Sequence, residues 1–138
     1  MNQHPVYFWG YSGHQLADLQ ALQAQTKALI IDARHQPYSR FRPEWNQRRL
    51  AEVFGDNYRH LPALGNVHYK DGPEAIQIVD LDAGIAAIDA VQRPVIVICT
   101  CKAPEGCHIT VIRDDMARRG YHVLDVRHNA AQSTLFHG

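Results

Sequence analysis

The apolar run Val95-Ile-Val-Ile98 constrains this chain more than any other feature. β-Branched side chains favour extended backbone, and a run without polar alternation has no face to give to water. A strand of this kind is covered on both sides, as the inner strands of a parallel sheet are. Parallel strands need long crossover connections, usually helical. The segments around the run should therefore alternate between strand and helix.

They do alternate. Val6-Tyr-Phe-Trp9 is a short strand candidate, followed by Gly10-Tyr-Ser-Gly13 and then by Leu16, Leu19 and Leu22 at helical spacing. Leu29-Ile-Ile31 is a second strand, ending at Asp32 and followed by a loop rich in Pro and Arg. Asn46 to Phe54 reads as a helix with Leu50 and Val53 inward, stopped by Gly55. Tyr58 to Leu61 is a short third strand, broken by Pro62. Leu81 to Val91 is helical, with Leu81, Ile85 and Ile88 on one face. Past the Val95 strand, a helix from about Gly106 to Arg119 turns Ile109, Ile112 and Met116 inward and ends before Gly120. Tyr121 to Val126 is a last strand, and Gly65 to Val79 reads as loop. The pattern predicts a three-layer, Rossmann-like α/β sandwich, with helices flanking a mainly parallel sheet. It does not give the strand order.

With 138 residues, positions 1–138 are read as one domain. A content of 46% hydrophobic and 20% charged residues argues against disorder, collagen and coiled coil. Fourteen Lys and Arg balance fourteen Asp and Glu, so bulk binding to nucleic acid or an anionic membrane is not expected. Even charge also permits self-association into a homo-oligomer. Three cysteines, an odd number, do not suggest the disulfide framework of a secreted scaffold. Met1-Asn-Gln-His-Pro5 does not resemble a signal peptide, and the longest apolar run is far below the ~20 residues of a membrane span. The expectation is a cytoplasmic protein with no membrane partner.

In open parallel sheets, ligands bind beyond the carboxyl ends of the strands. The unusual polar residues of this chain fall there. Tyr11, Ser12, Gly13 and His14 follow the first strand, and Arg34, His35, Tyr38, Ser39, Arg40 and Arg42 follow the second. His60 and Pro62 follow the third, Cys99, Cys101, Cys107 and His108 the fourth, and Arg127 and His128 the last. A parallel sheet would bring all of them to one edge.

Each group has a chemistry and a plainer alternative. Arg34 and Arg40, with Tyr38 and Ser39, suit bidentate capture of phosphate or carboxylate; a solvated loop with local ion pairs is the plainer reading. Ser12 and Gly13 open the first helix, where Ser can cap and Gly lets a phosphate approach the free N–H groups. His14 and His60 are the candidates for proton transfer. Cys107 precedes a helix whose N-terminus favours a thiolate, and His108 beside it could act as base, although neighbours on a helix do not face each other. Cys99 reads first as a packed small hydrophobe and second as a pocket contact. Cys101, on the loop, reads either as incidental or as the exposed thiol that oxidises first. Cys107 and Arg113 match a Cys-x5-Arg spacing, but the residues between them lack the glycines of an anion cradle. Zinc is not expected, because Cys99-x-Cys101 departs from the usual Cys-x2-Cys knuckle. No cofactor is implied.

Several of these blocks resemble a known family. Gly10-Tyr-Ser-Gly-His14, Asp32-Ala-Arg34 with Pro37-Tyr-Ser-Arg40, His60-Leu-Pro62 with Leu64-Gly65, and Cys99 followed by Cys107-His108 are similar to the domain-of-unknown-function 488 family, in the same order, from about Tyr7 to Val126. That resemblance implies a small α/β domain whose blocks surround one pocket, and it implies no particular activity. Cys101 and Ile109 stand where the family usually carries an acidic residue and an arginine. A fold-level likeness to the rhodanese layout would make Cys101 to Gly106 an anion-facing turn. Two readings follow. One is a pocket for a nucleotide or phosphorylated ligand in a cysteine-dependent transferase or hydrolase, with Cys107, His14 and His60 catalytic. The other is a non-catalytic ligand-binding or redox-sensing module with the same pocket.

Overall fold

A computed structural model describes residues 1–68, 76–100 and 107–127. Cys101, the turn from 101 to 106 and His128 lie outside the described residues, so the expectations placed on them do too. Five strands, β1 (Val6–Gly10), β2 (Leu29–Asp32), β3 (Tyr58–His60), β4 (Val95–Cys99) and β5 (Val123–Asp125), form one parallel sheet in the order β3-β2-β4-β1-β5. Four helices connect or follow them: α1 (Leu16–Thr26), α2 (Gln47–Phe54), α3 (Leu81–Val91) and α4 (His108–Arg118).

β4 takes the centre because it is apolar on both faces. Val95, Val97 and Cys99 pack with Ile85 and Ile88 of α3 and with Ile109, Ile112 and Met116 of α4. Ile96 and Ile98 pack the other way, with Leu19 and Leu22 of α1 and with Leu50 and Phe54 of α2. The sandwich therefore has three layers, two helices on each side of the sheet. Each fully buried Val or Ile contributes about 1.5–3 kcal/mol of burial, which is why the Val95 run outweighs local propensity elsewhere. Val95 sits opposite both Leu29 and Val6, so one residue sets the register of the three inner strands.

Several details differ from the sequence reading. α1 is capped by Gln15, whose backbone N–H donates to Asp18 at 2.8 Å, and not by Ser12. Phe54 joins Leu50 as a buried residue of α2, while Val53 packs half-buried against the same cluster. α4 begins at His108, and β3 and β5 hold three residues each. The segment after Gly65, read as loop, forms an antiparallel bridge between Asn66 and Ile78. Gly65 has a steric reason: a Cβ there would lie 2.8 Å from the Cα of His35. The loops after β2 and β3 can touch only because that position lacks a side chain.

Candidate functional site

Because all five strands run the same way, the segments after β1 to β4 and after β5 share the carboxyl edge of the sheet. Backbone bonds tie them together: Tyr11 N–H donates to Cys99 O at 3.0 Å, Ala33 to Ile98 O at 3.0 Å and Leu61 to Asp32 O at 3.0 Å. The Ser12 hydroxyl donates to Thr100 O, so it fastens the β1 loop to β4 instead of capping α1. Gly13 follows with φ +81°, a left-handed conformation that glycine adopts without strain.

At the end of β2, Asp32 is fully buried and holds Arg34 through two bonds, from Nε at 2.8 Å and Nη2 at 2.6 Å. The Tyr58 hydroxyl donates to the same carboxylate at 2.5 Å. Burial works against the Arg34 charge, but Asp32 outweighs it and holds the guanidinium above its ordinary pKa. Burial, reinforced by the Asp32 charge, pushes the Tyr58 phenol up, so it stays a donor. Arg34 spends Nε and Nη2 on Asp32, and its guanidinium carbon lies 5.3 Å from the centre of the Tyr11 ring.

Tyr11 itself is stacked on Trp45, with centroids 4.6 Å apart and planes 9° apart. Arg42 lies over both rings, 5.3 Å from Tyr11 and 6.0 Å from Trp45, and its Nη2 donates to His14 O at 3.3 Å. The Trp45 indole Nε1 is buried and has no hydrogen-bond partner among the described residues. Two guanidiniums and two stacked rings thus form one cluster between the β1 and β2 loops. Tyr11 was placed at this edge by the sequence, whereas Trp45 was not singled out, although a tryptophan inside a polar loop after a proline was a visible signal.

Two histidines brace the same loop. His60 Nε2 meets Arg34 O at 2.8 Å and His108 Nε2 meets Ala33 O at 2.8 Å. Each carbonyl can only accept, so each Nε2 donates, leaving Nδ1 as the second functional atom. Burial lowers the His108 pKa, against the opposing Ala33 bond, and keeps the ring neutral. His14 is placed elsewhere, with Nδ1 3.5 Å from Asp18 and its ring against Trp9 at 4.9 Å.

The remaining candidates divide. Ser39 Oγ accepts from the N–H groups of Phe41 at 3.1 Å and Arg42 at 3.3 Å, so it shapes the loop that carries Arg42. Tyr38 is 74% exposed, and Arg40 lies over Phe41 at 5.8 Å. Cys107 is 2% exposed and disulfide-bonded, which the odd number of cysteines did not foretell. Its Sγ is 3.2 Å from that of Cys99. Arg113 belongs to α4 and pairs with Asp114 and Asp125, away from any anion cradle.

Arg127, placed at the edge by the sequence, forms a second pair with Asp125 that the sequence reading did not single out. Arg127, 1% exposed, donates Nε to Asp125 at 2.8 Å, Nη2 to the same carboxylate and Nη1 to Thr110 Oγ1 at 2.8 Å. Burial would raise the Asp125 pKa, but Arg127 and Arg113 overcome it and hold the carboxyl low. The repeated Asp-x-Arg at two strand ends was the sequence signal. No described helix is long and apolar enough to cross a membrane. No family model matches the sequence, and neither a curated protein nor a solved structure matches it.

Proposed function

We propose that this protein is a binding module for a small anionic ligand, a nucleotide or phosphorylated metabolite, held at the carboxyl edge between the β1 and β2 loops. The observation that carries this reading is the stacked Tyr11–Trp45 pair flanked by the guanidiniums of Arg34 and Arg42. Arginine forks match phosphate oxygens, and the buried, stacked rings give the two guanidiniums a rigid support. Arg34 is pre-oriented by Asp32, so little side-chain entropy remains to be lost on binding. Arg42 is paired with Glu44 in an exposed bridge at 3.2 Å, a weak tie that an incoming anion can displace.

The same reading takes the chain as a cytoplasmic member of the domain-of-unknown-function 488 family. Its Gly10–His14, Asp32–Arg34 and His60–Gly65 blocks all lie along this edge, which supports that membership. The catalytic alternative, a transferase or hydrolase with Cys107 as nucleophile and His14 or His60 moving protons, requires an accessible thiolate. Burial and the disulfide at Cys107 favour the binding module.

Titration with ADP, pyrophosphate and inorganic phosphate, read by tryptophan fluorescence and Tm, tests the proposal. ADP is expected to change the fluorescence and raise Tm. Arg42→Ala should weaken it about 10-fold, roughly 1.4 kcal/mol. Because Arg42 is partly exposed, that variant should keep its fold. If none of the three probes shifts either signal at roughly 10 mM, tenfold above a 1 mM Kd, the proposal is wrong.

A further inference from the structure

Two aromatic rings stand in solvent on the loop after β2. Tyr38 is 74% exposed and Phe41 87%, and among the described residues no other Tyr, Phe or Trp is exposed. The backbone that carries them is tied down. Ser39 N–H donates to Asn46 Oδ1 at 2.6 Å, Ser39 Oγ accepts from the N–H groups of Phe41 and Arg42, and Gln47 N–H donates to Pro37 O at 2.9 Å. The rings are thus presented on a pre-shaped loop, which lowers the ordering cost of meeting a partner.

Charge is arranged around the same rings. Tyr38-Ser-Arg-Phe-Arg42 sets a cation beside Phe41 on either side. The Arg40 guanidinium carbon lies 5.8 Å from the Phe41 ring centre, and Arg40 has no carboxylate partner among the described residues. Arg42 has only the exposed Glu44, while Arg48 and Arg49 of α2 share Glu52. Positions 32 to 52 therefore hold five arginines against three carboxylates, one of them the buried Asp32, in a chain that is balanced as a whole.

An apolar protein surface would cover the rings and strand the cations. A simple anion would meet the cations and leave the rings in water. A single nucleic-acid strand answers both, because its unpaired bases stack on aromatic rings and guanidinium planes and a phosphate accompanies each base. We propose that the loop from Tyr38 to Arg42 binds single-stranded nucleic acid, with bases on Phe41 and Tyr38 and phosphates on Arg40 and Arg42. Two phosphate contacts fit the even overall charge, and they set a shallow salt dependence, a log–log slope of about −1.4. This surface goes beyond the small-anion pocket and does not rest on it, since neither ring belongs to that pocket.

The test titrates fluorescein-labelled oligothymidylate and oligouridylate with the full chain, read by anisotropy over a salt series. Binding of either strand is expected, and the matched duplex, whose bases are already stacked, should bind about tenfold more weakly. Phe41→Ala and Tyr38→Ala should each weaken the strand about tenfold, and Phe41→Trp should restore it. Both side chains lie in solvent, so these variants keep the fold. Arg40→Gln should make the salt slope shallower by about 0.7. No binding of either strand at about 1 mM protein overturns the proposal. So does binding that the ring variants leave unchanged, or a duplex bound as tightly as the strand. Phe41-dependent association with phosphatidylserine vesicles or with polyglutamate, in place of the strands, would assign the loop to a membrane or an acidic protein and overturn it too.

Discussion

Two strands of the sheet end in the same three-residue device, and the two copies are put to different uses. Asp32-Ala-Arg34 closes β2 and Asp125-Val-Arg127 closes β5. In each, the arginine N–H bonds back to the first carboxylate oxygen, at 3.1 Å and 3.2 Å, and its Nε does so at 2.8 Å. The turn is thus set locally, by a short carboxylate and a forked cation two residues apart. Its surroundings then differ. Asp125 is shared with Arg113, and the third nitrogen of Arg127 is taken by Thr110, so that pair is closed. Asp32 takes a neutral phenol as its other partner, and Arg34 lies against the Tyr11 ring beside Arg42. One copy is structural in all its bonds, while the other faces the aromatic cluster.

The largest test of that contrast removes each arginine in turn. Arg34→Ala leaves a fully buried carboxylate without its counter-charge, held by the Tyr58 hydroxyl and the backbone N–H of residue 34, and should cost about 3–5 kcal/mol in urea unfolding. Arg127→Ala leaves Asp125 paired with Arg113, so a smaller loss of roughly 1–3 kcal/mol is expected. Equal losses, or a larger one at Arg127, would break the comparison. A finer cut removes only the hydroxyl partners. Tyr58→Phe takes a donor from a charged buried acceptor and should cost about 1.5–3 kcal/mol, against about 1 kcal/mol for Thr110→Val, measured the same way.

The smallest effect is a pH slope. His108 is kept neutral in the fold, whereas in the unfolded chain it protonates near its ordinary value of about 6.5. The stability tied to it is therefore complete above that pH and falls as pH drops towards the lowered folded value, by at most about 1.4 kcal/mol per unit. His108→Gln, with a side-chain amide to offer Ala33 O, should flatten urea midpoints between pH 7 and 5.5. A slope unchanged by the substitution would assign the pH response to another group. Asp125 acts in a lower window, since its depressed pKa gives stability above about pH 4 that is lost on further acidification.

What the sequence made legible follows from which forces are local. The Val95 run and the leucine and isoleucine spacings identified strands, helices and the shared edge, because burial imposes those periods directly. Strand order was not legible, since every inner strand is apolar and any could pair with any other. Arg34 was singled out as an anion contact, but its Asp32 partner lay two residues away and was read as the end of a strand. Ser12 was taken for a cap because its true partner, Thr100 O, is 88 positions distant. The contact between Cys99 and Cys107 was equally hidden. They lie eight positions apart, one ending β4 and the other preceding α4, and only the folded chain makes them neighbours.

The brevity of the edge strands bears on how the protein behaves when crowded. β3 and β5 offer three residues each, while the long apolar strand lies between covered neighbours. An edge that short gives a second chain little ladder to extend, and Arg59 places a charge in the middle of one of them. Aggregation by strand addition therefore requires the sheet to open first. Turbidity on concentrating the native protein should stay low until conditions reach the unfolding transition, and then rise with the exposure of β4.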